Sequence, residues 1–407
     1  MTLSPRIVRA AFSAALALLG LAAAIGGWGY GVAQENGQIG AGFLPVALGT
    51  IIAVLAGVDT ASILLRREPA HPAEQLTGVE AEADAAAIDT VEESPDIDAL
   101  GRTQRQRNRM LVVVGGILKP GFASPDQIVN MLRVASFLGI IAIGQTIVVL
   151  SGGEGIDLSV GTVATLGAIL ASRTMDGSDA LLVPGILLAV GVAALIGLAN
   201  GLGIVLLRIP PFVMTLGMLG VVGGLILVVT GGVADGRAAP SLVQLVNGRD
   251  VLGIPGILLV WALLAVIVTL VLRRTTFGMQ LYATGSGREA ARLSGVPVGR
   301  VTVTAYVLSS IFAALGGIAM VGYSQQVFLN LANDLTLPSI AAVVIGGTLV
   351  AGGVGGYLGS AIGAIVLTVL TSLLTTLSMP EWARIVVQGV VLIALLAVYG
   401  RQRKLRT

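Results

Sequence analysis

Ten stretches of 15 to 46 residues carry no charged side chain: 10–34, 36–58, 134–153, 158–172, 180–207, 209–234, 251–272, 301–333, 335–380 and 385–400. A helix crossing the hydrocarbon core of a bilayer takes roughly 20 apolar residues, with about 17–25 usual. Inside lipid every backbone N–H and C=O must find a partner within the chain, so repeated runs of this kind fold as a helical bundle or a closed barrel. The barrel needs apolar/polar alternation along each strand, and the runs show none. The run 335–380 holds two helices, with AGGVGGYLG (351–359) as the break. Of 407 residues 55% are apolar and 11% charged, against roughly 25% charged in an average soluble domain. Too few polar side chains remain to coat a core against water. The expectation is an all-α, polytopic transmembrane helical bundle.

The same inventory excludes several chemistries. With no Cys there is no disulfide framework and no thiolate metal site, and the single imidazole, His71, lies in a polar segment. No metal is expected. A net charge of +2 gives no electrostatic footprint for nucleic acid. The chain has no GxxxxGK[ST] phosphate loop, so it carries no ATPase site of its own. An intramembrane enzyme would need a Ser/His, paired-Asp or HExxH set. An ion-coupled secondary transporter would show acids or His within its spans, and mid-span charges are nearly absent.

Lys and Arg orient the spans, because short cytoplasmic loops collect them. Arg6 and Arg9, Arg66 and Arg67, Arg102 to Arg109, the group Arg273, Arg274, Arg288, Arg292 and Arg300, and the closing RQRKLR (401–406) all fall on one side if even numbers of helices separate them. Two helices precede Arg66, and four (301–323, 335–352, 355–378, 383–400) follow Arg300. Between them parity permits six helices if 110–118 and 158–172 both cross, or four if neither does. The first 67 residues read as a two-helix extension rather than a cleaved leader, since 10–34 is longer than a signal core of about 7–15 residues. Residues 68–109 read as a disordered cytoplasmic linker, because Ala73–Asp98 holds nine acids, no base and few large apolar residues. Residues 110–407 form the main domain, with both termini cytoplasmic.

The longest polar interval of that domain is 273–300. Within it GREAARLSG sets Arg288, Glu289 and Arg292 to pair and Ala290, Ala291 and Leu293 to pack, with Gly295 and Pro297 ending the helix. The spacing Glu289-Ala290-Ala291, three residues, Gly295 resembles the EAA---G loop of importer subunits of ATP-binding-cassette transporters. Three further stretches agree: NMLRVASFLGIIAIGQTIVVLSGGEGIDLSVGTVATLGAILA (130–171), NGLGIVLLRIPPFVMTLGML (200–219) and SIAAVVIGGTLVAGGVGGYLGSAIGAIV (339–366). In that order they resemble the permease subunits of ribose and simple-sugar importers of the branched-chain type. The resemblance covers about 110–400 and leaves 1–100 without a counterpart.

It implies about ten helices in the permease core plus the two N-terminal ones. It also implies a plasma-membrane subunit importing a sugar or polyol by alternating access. The implied partners are a cytoplasmic ATPase that binds the ATP-Mg, an extracytoplasmic substrate-binding protein, a second permease copy and membrane lipid, with no cofactor on this chain. Arg288, Glu289, Ala290, Ala291 and Gly295 become the ATPase-coupling residues.

SGGEGIDLSVG (151–161) separates two apolar runs. Gly152, Gly153 and Gly155 let the backbone leave a helix, and Asp157 with Ser159 can cap the next one. Two readings are open: a capping hinge at the cytoplasmic edge, or a place for Asp157 on the translocation path. Parity favours the hinge. Gln145, Asn200, Thr215 and Gln325 are candidate path-lining groups, although each also suits a helix–helix hydrogen bond.

Overall fold

The chain divides into two units, 1–92 and 93–407. The computed structural model describes residues 124–249, 253–387 and 389–390, together with Leu21 and Ile25, two exposed helical positions in the first unit. The remainder of the two expected N-terminal helices, the linker 68–109 and the short run 110–118 lie outside the described residues.

The second unit is built of helices, and the described residues contain no β-strand, only an isolated antiparallel bridge between Arg237 and Gln326. In chain order they are α1 (Pro125–Leu150), α2 (Val160–Met175), α3 (Leu182–Leu206), α4 (Pro211–Thr230), α5 (Pro240–Asn247), α6 (Gly256–Arg274), α7 (Thr276–Ser286), α8 (Arg288–Leu293), α9 (Val298–Ser324), α10 (Thr336–Ile345) and α11 (Tyr357–Thr376). Among the described residues, six helical segments are long and apolar enough to cross a membrane: α1, 179–206, α4, α6, α9 and α11.

Local signals set several ends. Ser124 caps α1 by accepting the Gln127 N–H at 3.3 Å, with Pro125 just behind it. Proline likewise opens α4 and α5. Asp176 and Gly231, both left-handed, close α2 and α4.

Two helices form the centre. In their most apolar windows α1 is 89% and α9 67% buried, whereas α4 is 17%. Helix α9 packs on α1, α2 and α3 at once. Small residues allow this, because a Cβ on Gly144 would stand 2.5 Å from the Ser309 Cα and one on Gly317 2.0 Å from the Ala164 carbonyl. Close backbone approach of this kind is how helices associate where lipid supplies no hydrophobic drive between them. The outer faces of α3, α4 and α6 leave Leu195, Phe212, Val228 and Leu263 exposed, a surface suited to lipid. One polar staple crosses the bundle: the Trp261 indole donates to the Tyr357 hydroxyl at 2.7 Å, and that hydroxyl donates to the Gly139 carbonyl at 2.8 Å.

Among the described residues two apolar helices are too short to span. Helix α2 has 16 residues and α10 has 10, the latter preceded by a 3-10 turn at Asn333–Leu335. Their N-termini meet inside the bundle, where Thr165 Oγ1 accepts the Ala332 N–H at 3.0 Å and stands 3.0 Å from Asn333 Oδ1. From there α2 runs toward the Ser324 end of α9, and α10 runs toward the Val298 end. The expected helix 335–352 therefore stops at Ile345, where Gly346 and Gly347, the latter at φ +83°, turn the chain away.

A candidate coupling helix and the hinge beneath it

Helix α6 ends in Arg273 and Arg274, and Thr275 caps α7 by accepting the Gly278 N–H. Gly287 is extended, and α8 follows as a six-residue helix. Its end is closed by the Val296 N–H on the Ala291 carbonyl at 3.0 Å, with Gly295 left-handed at φ +82°. This six-to-one closure around a left-handed residue is the reason for glycine at 295. Ala291 faces inward and is buried, while Glu289, Ala290 and Arg292 are exposed and Leu293 is 82% exposed. The expected pairing of Glu289 with Arg288 or Arg292 is absent. The ion pairs among the described residues are Arg173–Asp235 and Arg249–Asp126.

Arg288 turns the other way. Its Nη2 donates to the Gly152 carbonyl at 3.3 Å, and a Cβ on Gly153 would lie 2.6 Å from the guanidinium carbon. Backbones also touch here: a Cβ on Gly285 would stand 2.0 Å from the Leu150 carbonyl, and one on Gly352 2.3 Å from the Gly152 Cα. The Gly353 N–H donates to the Leu150 carbonyl at 3.1 Å. The end of α7, the hinge after α1 and the glycine loop before α11 thus meet at one junction. Tyr282 adds a bond from its hydroxyl to the Gly355 carbonyl at 2.9 Å, and burial holds this phenol above its ordinary pKa against the pull of Arg273, keeping it a neutral donor.

From the junction the hinge climbs inward. Gly152, Gly153 and Glu154 have φ of +68°, +64° and +59°. Asp157 is fully buried. Its Oδ1 accepts the Ser159 N–H at 2.9 Å and the Ser159 hydroxyl at 2.6 Å, and its Oδ2 accepts the Ser309 hydroxyl at 2.8 Å. Asn200 Nδ2 donates to Ser159 Oγ at 3.1 Å. The start of α2 also sits beside this carboxylate, and a helix N-terminus favours negative charge. Ser309 is eleven residues into α9, about 16 Å along its axis. Asp157 is therefore an interior clamp joining α2, α3 and α9, while Gly152 and Gly153 lie at the junction beneath α8.

Residues 127–396 match the family described as branched-chain amino acid transport system / permease component. The chain belongs to this family. The ribose import permease protein of Bacillus subtilis (strain 168) is 37% identical over 286 residues, covering 70% of this chain and 88% of that one. A probable ABC transporter permease protein of Sinorhizobium fredii is 35% identical, over 64% of this chain and 77% of that one. The autoinducer 2 import system permease protein of Yersinia pseudotuberculosis serotype O:3 is 32% identical, over 71% and 81%. No solved structure matches the chain. The protein is thus the multi-pass permease of an ATP-binding-cassette importer, a transport subunit that works with an ATPase and a substrate-binding protein.

Within the permease the four candidate path residues part company. Gln145, Asn200 and Thr215 are wholly buried within one protomer. Thr215 caps the hinge by donating to the Ile156 carbonyl at 3.3 Å while also reaching Pro211, and neither amide atom of Gln145 has a hydrogen-bond partner among the described residues. Gln325 is at the far end of α9, left-handed at φ +63°, and lines a cavity of about 570 Å³ with Arg237 and Gln326. Sequence reasoning did not single out Ser309, Gly285 or Gly353. Of these only Gly353 carried a signal, as part of a dense glycine run at 352–356.

Proposed function

We propose that this permease imports a sugar or a sugar-like polyol by alternating access, driven by an ATPase that docks on α8. The observation that carries the docking is α8 itself. It is a short helix at the Val298 end of the bundle, with Leu293, Glu289 and Arg292 turned outward and Ala291 turned in. An exposed leucine between charged neighbours suits a partner's apolar cleft. The sugar reading is supported by ribose in the name of one relative.

In this reading the core crosses the membrane about ten times, and two N-terminal helices in 1–67 join it through a cytoplasmic linker at 68–109. Both termini and α8 face the cytoplasm, ATP-Mg resides on the partner, and two permease copies set in lipid form the pore. Gln325 and its cavity then open on the outer side.

The test is reconstitution of the permease with its ATPase and binding protein in proteoliposomes. ATP-dependent uptake of a labelled pentose or hexose is expected, and uptake of branched-chain amino acids alone would overturn the sugar reading. Orientation is checked separately in this Cys-free chain. Val233→Cys, 71% exposed at the outer end, should react with an impermeant thiol reagent on intact cells. Leu293→Cys, expressed without the ATPase, should react only after the cells are opened.

A further inference from the structure

We propose that Arg288 is a positioning residue through which α8 moves the membrane domain, and that the hinge from Gly152 to Asp157 receives the movement. The inference rests on the reading of α8 as the docking helix. Among the described residues, no other side chain of α8 makes a hydrogen bond into the helices beneath it, and the Arg288 bond lands on a backbone carbonyl of the hinge. The guanidinium lies over Gly153, where a Cβ would stand 2.6 Å from it, so the side chain and the hinge share one surface. The Arg288 Nε is buried without a hydrogen-bond partner among the described residues. A charge held by one long hydrogen bond is a contact that a small shift of α8 can make or break.

The far end of the hinge is fixed. Five residues beyond Gly152, Asp157 is tied to Ser159 at the start of α2 and to Ser309 in the middle of α9, and Ser159 accepts from Asn200 of α3. A displacement of the Gly152 carbonyl therefore meets a clamp that holds three helices together. The first element it can move is α2, which starts in the interior and spans only part of the bundle. Helix α8 is also joined covalently on both sides, through Gly287 to α7 and through Gly295 and Pro297 into α9, and Gly295 has open space around it. The Arg288 link bears directly on packed backbone.

The test compares three variants of the full permease with its ATPase and binding protein. Leu293→Asp changes the outward face, Arg288→Ala removes the inward contact, and Gly153→Ala displaces the guanidinium without removing its charge. Each is measured for ATPase co-purification and for ATP hydrolysed per ribose molecule imported in proteoliposomes. Arg288→Ala and Gly153→Ala should retain the ATPase but raise ATP consumed per sugar tenfold or more, with Arg288→Lys restoring part of the coupling. Leu293→Asp should lose the ATPase.

Loss of the ATPase from Arg288→Ala would make Arg288 a docking contact and overturn the proposal, and so would a wild-type ATP-to-sugar ratio. Retention of the ATPase by Leu293→Asp would instead sink the docking reading. If Arg288→Ala does not accumulate as folded protein, Gly153→Ala decides the matter by the same ratio.

Discussion

Gly285→Ala is the sharpest probe of the junction under α8. The new methyl would stand 2.0 Å from the Leu150 carbonyl and 2.4 Å from the Gly353 nitrogen, where ordinary contact begins near 3.4 Å. Both obstacles are backbone, and they are joined to each other by the Gly353–Leu150 hydrogen bond of 3.1 Å. Overpacking of a tight site costs about 1–3 kcal/mol, and a lost backbone hydrogen bond adds about 0.5–1.5 kcal/mol. Working the other way, Ala is the better helix former by about 0.8–1 kcal/mol in a helix interior. Gly285 is the penultimate residue of α7, so less than that is recovered.

The net expectation is a loss of about 1–4 kcal/mol. Gly287→Ala is the internal control, because it is extended and its nearest neighbour would be the Ala290 Cβ at 3.7 Å. It should stay within about 0.5 kcal/mol of wild type. Thermal unfolding of the detergent-solubilised permease, followed by size exclusion, ranks the two. If Gly285→Ala melts at or above the wild-type temperature, the three loops are not in backbone contact and the junction argument fails.

Other expectations follow from the same geometry. Ser309→Ala removes one donor from the buried Asp157 carboxylate and should cost about 1.5–3 kcal/mol. Ser310→Ala, whose hydroxyl has no partner within the protein, should cost less than about 1 kcal/mol by the same melting assay. At Gly295 the left-handed backbone costs a β-carbon about 1–2 kcal/mol, and the space around it is open. Ala and Val should therefore weaken ATPase co-purification alike, with Asn milder, and a graded dependence on side-chain size would refute this. Asp179 accepts the N–H and hydroxyl of Ser241, tying the turn before α3 to the start of α5. Ser241→Ala removes one of those two donors and should lower the melting temperature; unchanged melting would show that the bond contributes nothing.

The long spans were legible because lipid as solvent leaves few choices. A charge-free run of adequate length has to become a helix, and α1, α3, α4, α6, α9 and α11 follow from that rule. Helix α8 was legible because its Glu, two small residues and left-handed glycine stand at fixed spacing. The Asp157 clamp was half legible. Its Ser159 partner is two residues away, but Ser309 is 152 residues distant, and nothing distinguishes its serine from Ser310 beside it. The backbone junction was hidden further, since contacts among Gly152, Gly285 and Gly352 involve no side chain that a sequence could display.

The two short helices show what a close reading can recover. The run 158–172 is only fifteen residues long, and parity left open whether it crosses. The run before Gly346 looked whole because glycine breaks a membrane helix without adding charge. Starting a helix inside the bundle leaves N–H groups with no water to satisfy them. The polar residues near each start answer that need: Asp157 takes the Ser159 N–H, and Thr165 takes the Ala332 N–H. Ser309, Asn200 and Thr215 then satisfy or brace the residues that do so. Of the four candidate path residues, Asn200 and Thr215 are thus drawn into bracing the broken helices, whereas Gln145 has no hydrogen-bond partner among the described residues and Gln325 lines the cavity at the other end of α9.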